Sequence, residues 1–232
     1  AGNSELTVSQ GYSLTLSQTG GLALGANTLT LSGGGSLVSG GLTLNNAASK
    51  LLLNSITVNS VNTASDSLGL KIDNNSTVTT LAISKITPVS IASGSSLSGV
   101  IAVTAGSLQL TDNGTLASNI TMSGGILDAD NSLTISGTVT QAGNISIDVA
   151  DNKTLTFSTG EIKTESHQLT LAGEGTIAFP SNASGIVLNN AAGLLKLDGT
   201  GTLGAAKVTA VSNAGKGLAV NASSTISSLK VA

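Results

Sequence analysis

Two apolar residues flanking one small polar residue form the unit that recurs along this chain. It stands at Leu14-Thr15-Leu16, Leu29-Thr30-Leu31, Leu42-Thr43-Leu44, Leu133-Thr134-Ile135, Leu155-Thr156-Phe157 and Leu169-Thr170-Leu171. Alternation over so few positions predicts short strands with one side buried. The intervals are filled by Gly, Asn, Ser and Asp, the residues of tight turns. Strand candidates follow roughly every six to nine residues, for example at Leu22, Leu29, Leu37, Ile120, Ile126 and Val139. A longer period of roughly 22 residues runs beneath them, from Leu133 to Leu155 and again from Leu155 to Ile177.

Three short strands in each such period make one triangular coil. The chain is therefore expected to be all-β, a single parallel β-helix (β-solenoid) of about ten coils over residues 1–232, with no long helices. At ~4.8 Å between stacked strands the rod would be about 50 Å long. Helical spacing is nowhere sustained, and Gly, Thr and Val are poor helix formers. Asn45–Lys50 and Asn189–Gly193 read as corner turns, as does Gly33-Gly34-Gly35. Asn pairs such as Asn74-Asn75 and Asn189-Asn190 are expected at turns, where they tolerate left-handed backbone and stack their amides coil upon coil.

Composition sharpens this picture. Apolar residues make up 40% but aromatics 1%, so the interior must be thin enough for Leu, Ile, Val and Ala to fill. Charged residues are only 9%, all nine basic residues are Lys, and the net charge is −3. No basic cluster exists to contact phosphates, which argues against nucleic-acid binding. With no cysteine, neither disulfides nor thiolate metal sites contribute. No apolar stretch reaches the ~18 residues of a membrane-spanning helix. The chain opens at Ala1 without Met, which is expected of a fragment or of an exported protein whose signal peptide has been removed. Low charge with abundant Ser, Thr, Gly and Asn points to an extracellular or cell-surface location.

The stretch Gly99-Val100-Ile101-Ala102-Val103-Thr104-Ala105-Gly106-Ser107-Leu108-Gln109-Leu110 resembles a repeat unit of bacterial autotransporter passengers and related surface β-helix adhesins. Ser123-Gly124-Gly125-Ile126-Leu127 running into Leu133-Thr134-Ile135-Ser136-Gly137 does so too. The resemblance implies a right-handed parallel β-helix exported to the surface. It carries over no catalytic residue.

Candidate chemistry is sparse. His167 is the only histidine, within Thr164-Glu165-Ser166-His167-Gln168. Adjacent strand residues point to opposite faces, so Ser166 is a poor triad partner, and a solvent-exposed turn histidine is expected. Asp128-Ala129-Asp130 sets two carboxylates on one side of a strand or around one turn, with Asp148 and Asp151 about a coil away. Calcium coordination or glycoside hydrolysis would need such pairs; solvated turn acids are the plainer expectation. Tyr12, Phe157 and Phe179 are the only aromatics, too few for sugar platforms, and no enzyme activity is expected. Neither a metal nor a cofactor is implied. Thr-x-Thr pairs at Thr28/Thr30, Thr77/Thr79, Thr138/Thr140 and Thr154/Thr156 do not recur once per coil period, so no stacked threonine face is expected. Sequons such as Asn119-Ile120-Thr121 and Asn144-Ile145-Ser146 follow from composition alone.

The strand pattern starts at Leu6-Thr7-Val8 and runs to Leu229-Lys230-Val231 with no cap in view. Bare strand edges template further pairing. Leu6, Thr7, Val8, Leu229, Lys230 and Val231 are thus the candidate subunit interface. The expected function is structural: a subunit joining end to end, with itself as partner, in a surface fibre. The alternative is a non-catalytic stalk or passenger segment of an adhesin, with surface glycans or other surface components as partners.

Overall fold

The computed structural model describes residues 2–18, 21–210 and 217–231, except the side chains of 203–207, 209–210 and 227–231. Among them the chain is a single parallel β-solenoid of about ten turns without a helix. Every strand ladder is parallel, because each coil lays its strand beside the same strand of the coil before. The first face is an eleven-stranded sheet that starts at Ser4–Thr7, Thr28–Ser32 and Lys50–Asn54 and ends at Leu194–Leu197 and Gly217–Val220. The second face includes Ser13–Thr15, Leu133–Ile135, Thr154–Phe157 and Thr176–Ala178. The third includes Leu22–Ala23, Asn119–Met122, Val139–Gln141 and Gly185–Leu188. Long strands such as Thr57–Thr63, Ser76–Ile83 and Ser96–Val103 run through the corner between the second and third faces.

The period read from the sequence is the coil itself. Leu133 lies beside Leu155, and Leu155 beside Ile177. Other coils are shorter or longer: Leu53 meets Ile72, 19 positions on, and Leu171 meets Leu197, 26 positions on. The surplus is taken up at corners. One residue is absorbed in the bulge where Val78 faces Gly99 and Thr80 faces Val100, leaving Thr79 unopposed. Gly99 makes that bend with φ 124°, and a Cβ there would overlap the Val78 carbonyl oxygen.

Alternation fills the interior. Leu31, Leu53, Ile72 and Ile91 form one inward column in register, all buried. Ile135, Phe157 and Phe179 continue another, with the two rings stacked at 5.0 Å and 16°. Burying each such side chain contributes about 1.5–3 kcal/mol, and the column repeats that gain at every coil.

Corner residues tie one coil to the next. The side-chain oxygens of Asn3, Asn75, Asn119 and Asn144 accept hydrogen bonds from the backbone N–H groups of Thr28, Ser96, Thr138 and Gln168, at 2.8–3.0 Å. Asn45 and Asn189 reach the opposite way, to Gly25 and Glu165. An amide-to-amide step of the expected kind joins Asn74 to Asn54 at 2.8 Å. Amide to backbone is the commoner bond, since corners leave N–H groups that no ladder satisfies. The two Asn-Asn-Ala-Ala segments are corner turns built alike: Ala48 N–H donates to Asn46 Oδ1 and Ala192 N–H to Asn190 Oδ1, each 2.9 Å.

Candidate functional site

At the first coil the core is only partly closed. Leu6, Leu14, Leu16 and Leu22 are half-buried, whereas Leu31, Leu37 and Leu42, which pair with Leu6, Leu14 and Leu22 on the next coil, are fully buried. Among the described residues strand Ser4–Thr7 pairs on one side alone, with Thr28–Ser32. Of the sequence-predicted interface residues, Leu6 points inward, Val8 is buried and donates its N–H to Ser32 O at 2.8 Å, and Thr7 is exposed with its hydroxyl 3.1 Å from that of Ser32. At the far end Gly217–Val220 likewise pairs on one side among the described residues, and Leu218 and Ile226 are half-buried. The backbones of Leu229, Lys230 and Val231 pair with Val208, Thr209 and Ala210, while their side chains lie outside the described residues. Both groups thus sit on terminal coils, at opposite ends of the rod.

The outer surfaces differ from face to face. On the first face Lys71 pairs with Asp73 at 2.6 Å and Lys196 with Asp198 at 2.8 Å. Asp128 stands directly opposite Asp148 on the next coil, and Gln109 Nε2 donates to Asp128 at 3.1 Å. The Asp128 carboxyl is held above its ordinary value, chiefly by burial, against the Gln109 hydrogen bond and with Asp130 and Asp148 adding repulsion. These two acids are strand residues, not turn residues, and Asp148 is the coil-away neighbour expected of it. Among the described residues no three His, Asp or Glu side chains gather in a way that would hold a metal.

The second face carries hydroxyls where the first carries charge. Thr154, Thr176, Thr202 and Thr225 stand in register on successive coils. Ser96, Thr115, Thr134 and Thr156 form the column beside them. Ser13, Ser36, Thr57, Thr77 and Ser98 form another, with the Thr77 and Ser98 hydroxyls 2.8 Å apart. The Thr-x-Thr pairs themselves are spread over all three faces, as their spacing implied. A threonine stack exists nevertheless, because single threonines of other coils line up with Thr77, Thr154 and Thr156 of the second-face pairs. No Asp, Glu or Lys lies on the strands Ser13–Thr15, Ser36–Val38, Thr115–Leu116, Leu133–Ile135, Thr154–Phe157 or Thr176–Ala178.

On the third face the ladder breaks between Val139–Gln141 and Glu161–Lys163, which do not pair. Thr138, Thr140, Glu161, Lys163 and Glu165 border the resulting open cleft. Gln141 is buried there, its Nε2 donating to Gly143 O and Gln168 O while Oε1 has no partner. Lys163 and Glu161 form an ion pair at 2.8 Å. His167 sits in the turn after this strand and is half-buried rather than fully exposed, packed where its carbonyl accepts from Leu194 N–H. Ser166 is exposed beside it, with no hydrogen bond joining the two side chains.

No family model, no curated protein and no solved structure matches the chain. The likeness to autotransporter passengers therefore stands on the quoted repeats alone.

Proposed function

We propose that this chain is a structural element of an extracellular fibre or surface layer, extended end to end through its terminal coils. The observation that carries this reading is the pair of terminal coils, where Leu6, Leu14, Leu16, Leu22, Leu218 and Ile226 are half-covered and where, among the described residues, the ladders continue on one side only. A further coil of the same kind supplies what both lack: backbone partners for the free strand edge and apolar contacts for Leu6, Leu14, Leu16 and Leu22. A head-to-tail contact of that type does not close on itself and so propagates. Low charge and the absence of cysteine suit an exported protein, and the reading assigns no catalysis and no cofactor.

The added coil can come from another copy or from more of the same polypeptide. The second source is the alternative reading, a stalk or passenger segment of a surface adhesin, and the autotransporter-like repeats favour it. Negative-stain electron microscopy across a concentration series separates the two. Fibres with an axial repeat near one rod length support self-assembly, and removal of residues 4–8 should then abolish them. Short rods at every concentration, or unchanged fibres after that deletion, count against assembly through the first coil.

A further inference from the structure

The second face has a property the end-to-end reading does not use. Among the described residues its outward positions are uncharged and mostly small from coil to coil, whereas elsewhere charge is placed on the first face, at corners and beside the third-face cleft. Removing such a face from water strands no ion, the largest penalty in burying polar surface. Part of its hydrogen bonding is already met by the chain itself: Thr77 to Ser98 within a column at 2.8 Å, and Ser96 to the side chain of corner residue Asn75 at 3.2 Å. Apolar surface adds to it at one end, where Val38 is 42% exposed on the face and Tyr12 is 72% exposed at its margin.

We propose that the second face is a lateral docking surface for a second copy of this chain, the two solenoids lying side by side with their hydroxyl columns apposed. The argument for a copy over other partners is the repeat. Each column presents hydroxyl side chains about every 4.8 Å over four or five coils, and a partner with the same repeat meets successive rungs in step, as paired sheets do in a dry zipper. The area sets the strength. Eleven rungs on a face give about 50 Å of length, and at roughly 10 Å of width each copy buries on the order of 500 Å². The resulting total of about 1,000 Å² lies at the lower limit for specific interfaces, so an isolated pair is weak and concentration-dependent. The inference does not depend on end-to-end growth, since the two contacts use different surfaces.

Small-angle X-ray scattering with sedimentation across a concentration series tests it on the whole chain. Side-by-side pairing raises the cross-sectional radius and leaves the length; end-to-end joining does the reverse. The expected result is a species of doubled cross-section that persists from low to high salt, because no charge holds it. Thr134→Lys with Thr156→Lys should weaken it by about tenfold or more, through like charges facing each other across the contact. Circular dichroism verifies that the variant folds, and Thr170→Lys on the first face is the control expected to leave pairing intact. A chain that stays single in cross-section at all concentrations, pairing unaffected by the two lysines, or pairing abolished by salt would overturn the proposal. So would a single-width chain that adsorbs instead to a neutral polysaccharide or to ice, which would give the face a different occupant.

Discussion

The first and second faces share one interior and differ only outside. Inward positions on both are mostly Leu, Ile and Val in coil-to-coil register, for instance Leu127 beside Ile147 on the first face and Leu155 beside Ile177 on the second, with Thr87 and Ala129 among the smaller residues buried on the first. Outward, the first face sets Asp128 against Asp148 and holds Lys71–Asp73 and Lys196–Asp198 pairs, while the second shows hydroxyls. Inward residues are dictated by packing, so both faces must obey the same rule. Outward residues are freer of that demand, although some of them bond from coil to coil, as Thr77 does to Ser98. The difference between the faces therefore lies in what each presents outward and not in the core they share.

The largest effect should come from breaking what the faces have in common. Leu155→Asp on the second face and Leu127→Asp on the first each place a charge in a dry core where both leucines have 0% exposure. Either should prevent folding, and Leu155→Ala should cost about 2–5 kcal/mol. Urea denaturation of the alanine variants at both positions checks this; a loss confined to one face would mean that the two do not share a core.

Next in size is the corner that divides the second face from the third. Gly99→Ala forces a side chain onto a positive φ and into the Val78 carbonyl. A loss of about 2 kcal/mol or more is expected. Thermal unfolding is the readout, and a neutral result would mean that the bend between the second and third faces relaxes freely.

Smaller still is any outward change on the second face. Thr134→Lys leaves the core untouched and should alter stability by no more than about 0.5 kcal/mol, although it changes lateral contact. Equilibrium denaturation of the single variant measures it, and a larger loss would make the hydroxyl column part of the fold and not of a surface.

The same division explains what could be read from the residues alone. Leu133, Leu155 and Ile177 disclose the coil because they face inward, where a slip of one position would turn every apolar residue to water. Leu6 and Val8 are legible as inward strand positions for the same reason. The threonine stack was hidden. Its members Thr134 and Thr156 are separated by a shorter interval than Thr176 and Thr202, although each pair is one coil apart. Corner insertions and the one-residue bulge at Thr79 change the count while pairing restores the register, so a search for a constant spacing passes over columns that the ladder brings together. The break between Val139–Gln141 and Glu161–Lys163 left no mark either, because both segments alternate as paired strands do.

The smallest prediction concerns the charged face and turns on sign. Burial, with Asp130 and Asp148 adding to it, holds the folded-state Asp128 carboxyl above the ordinary value of 3.8, against the Gln109 hydrogen bond. The folded chain thus binds this proton more tightly than the unfolded chain does. The stability gained on protonation is fully present below the ordinary value and is lost as pH rises through the folded-state value. Asp128→Asn keeps an acceptor for Gln109 Nε2 and cannot ionise. Its denaturation midpoint should fall less than that of the parent as pH rises through that window, leaving the variant the more stable of the two at neutral pH. Parallel profiles would mean that the paired carboxylates are solvated well enough to ignore each other. The first face would then bear its charge at no cost, and a charge-bearing second face would have been equally open to the fold. The bias toward hydroxyls there would then owe even less to folding and more to what that face touches.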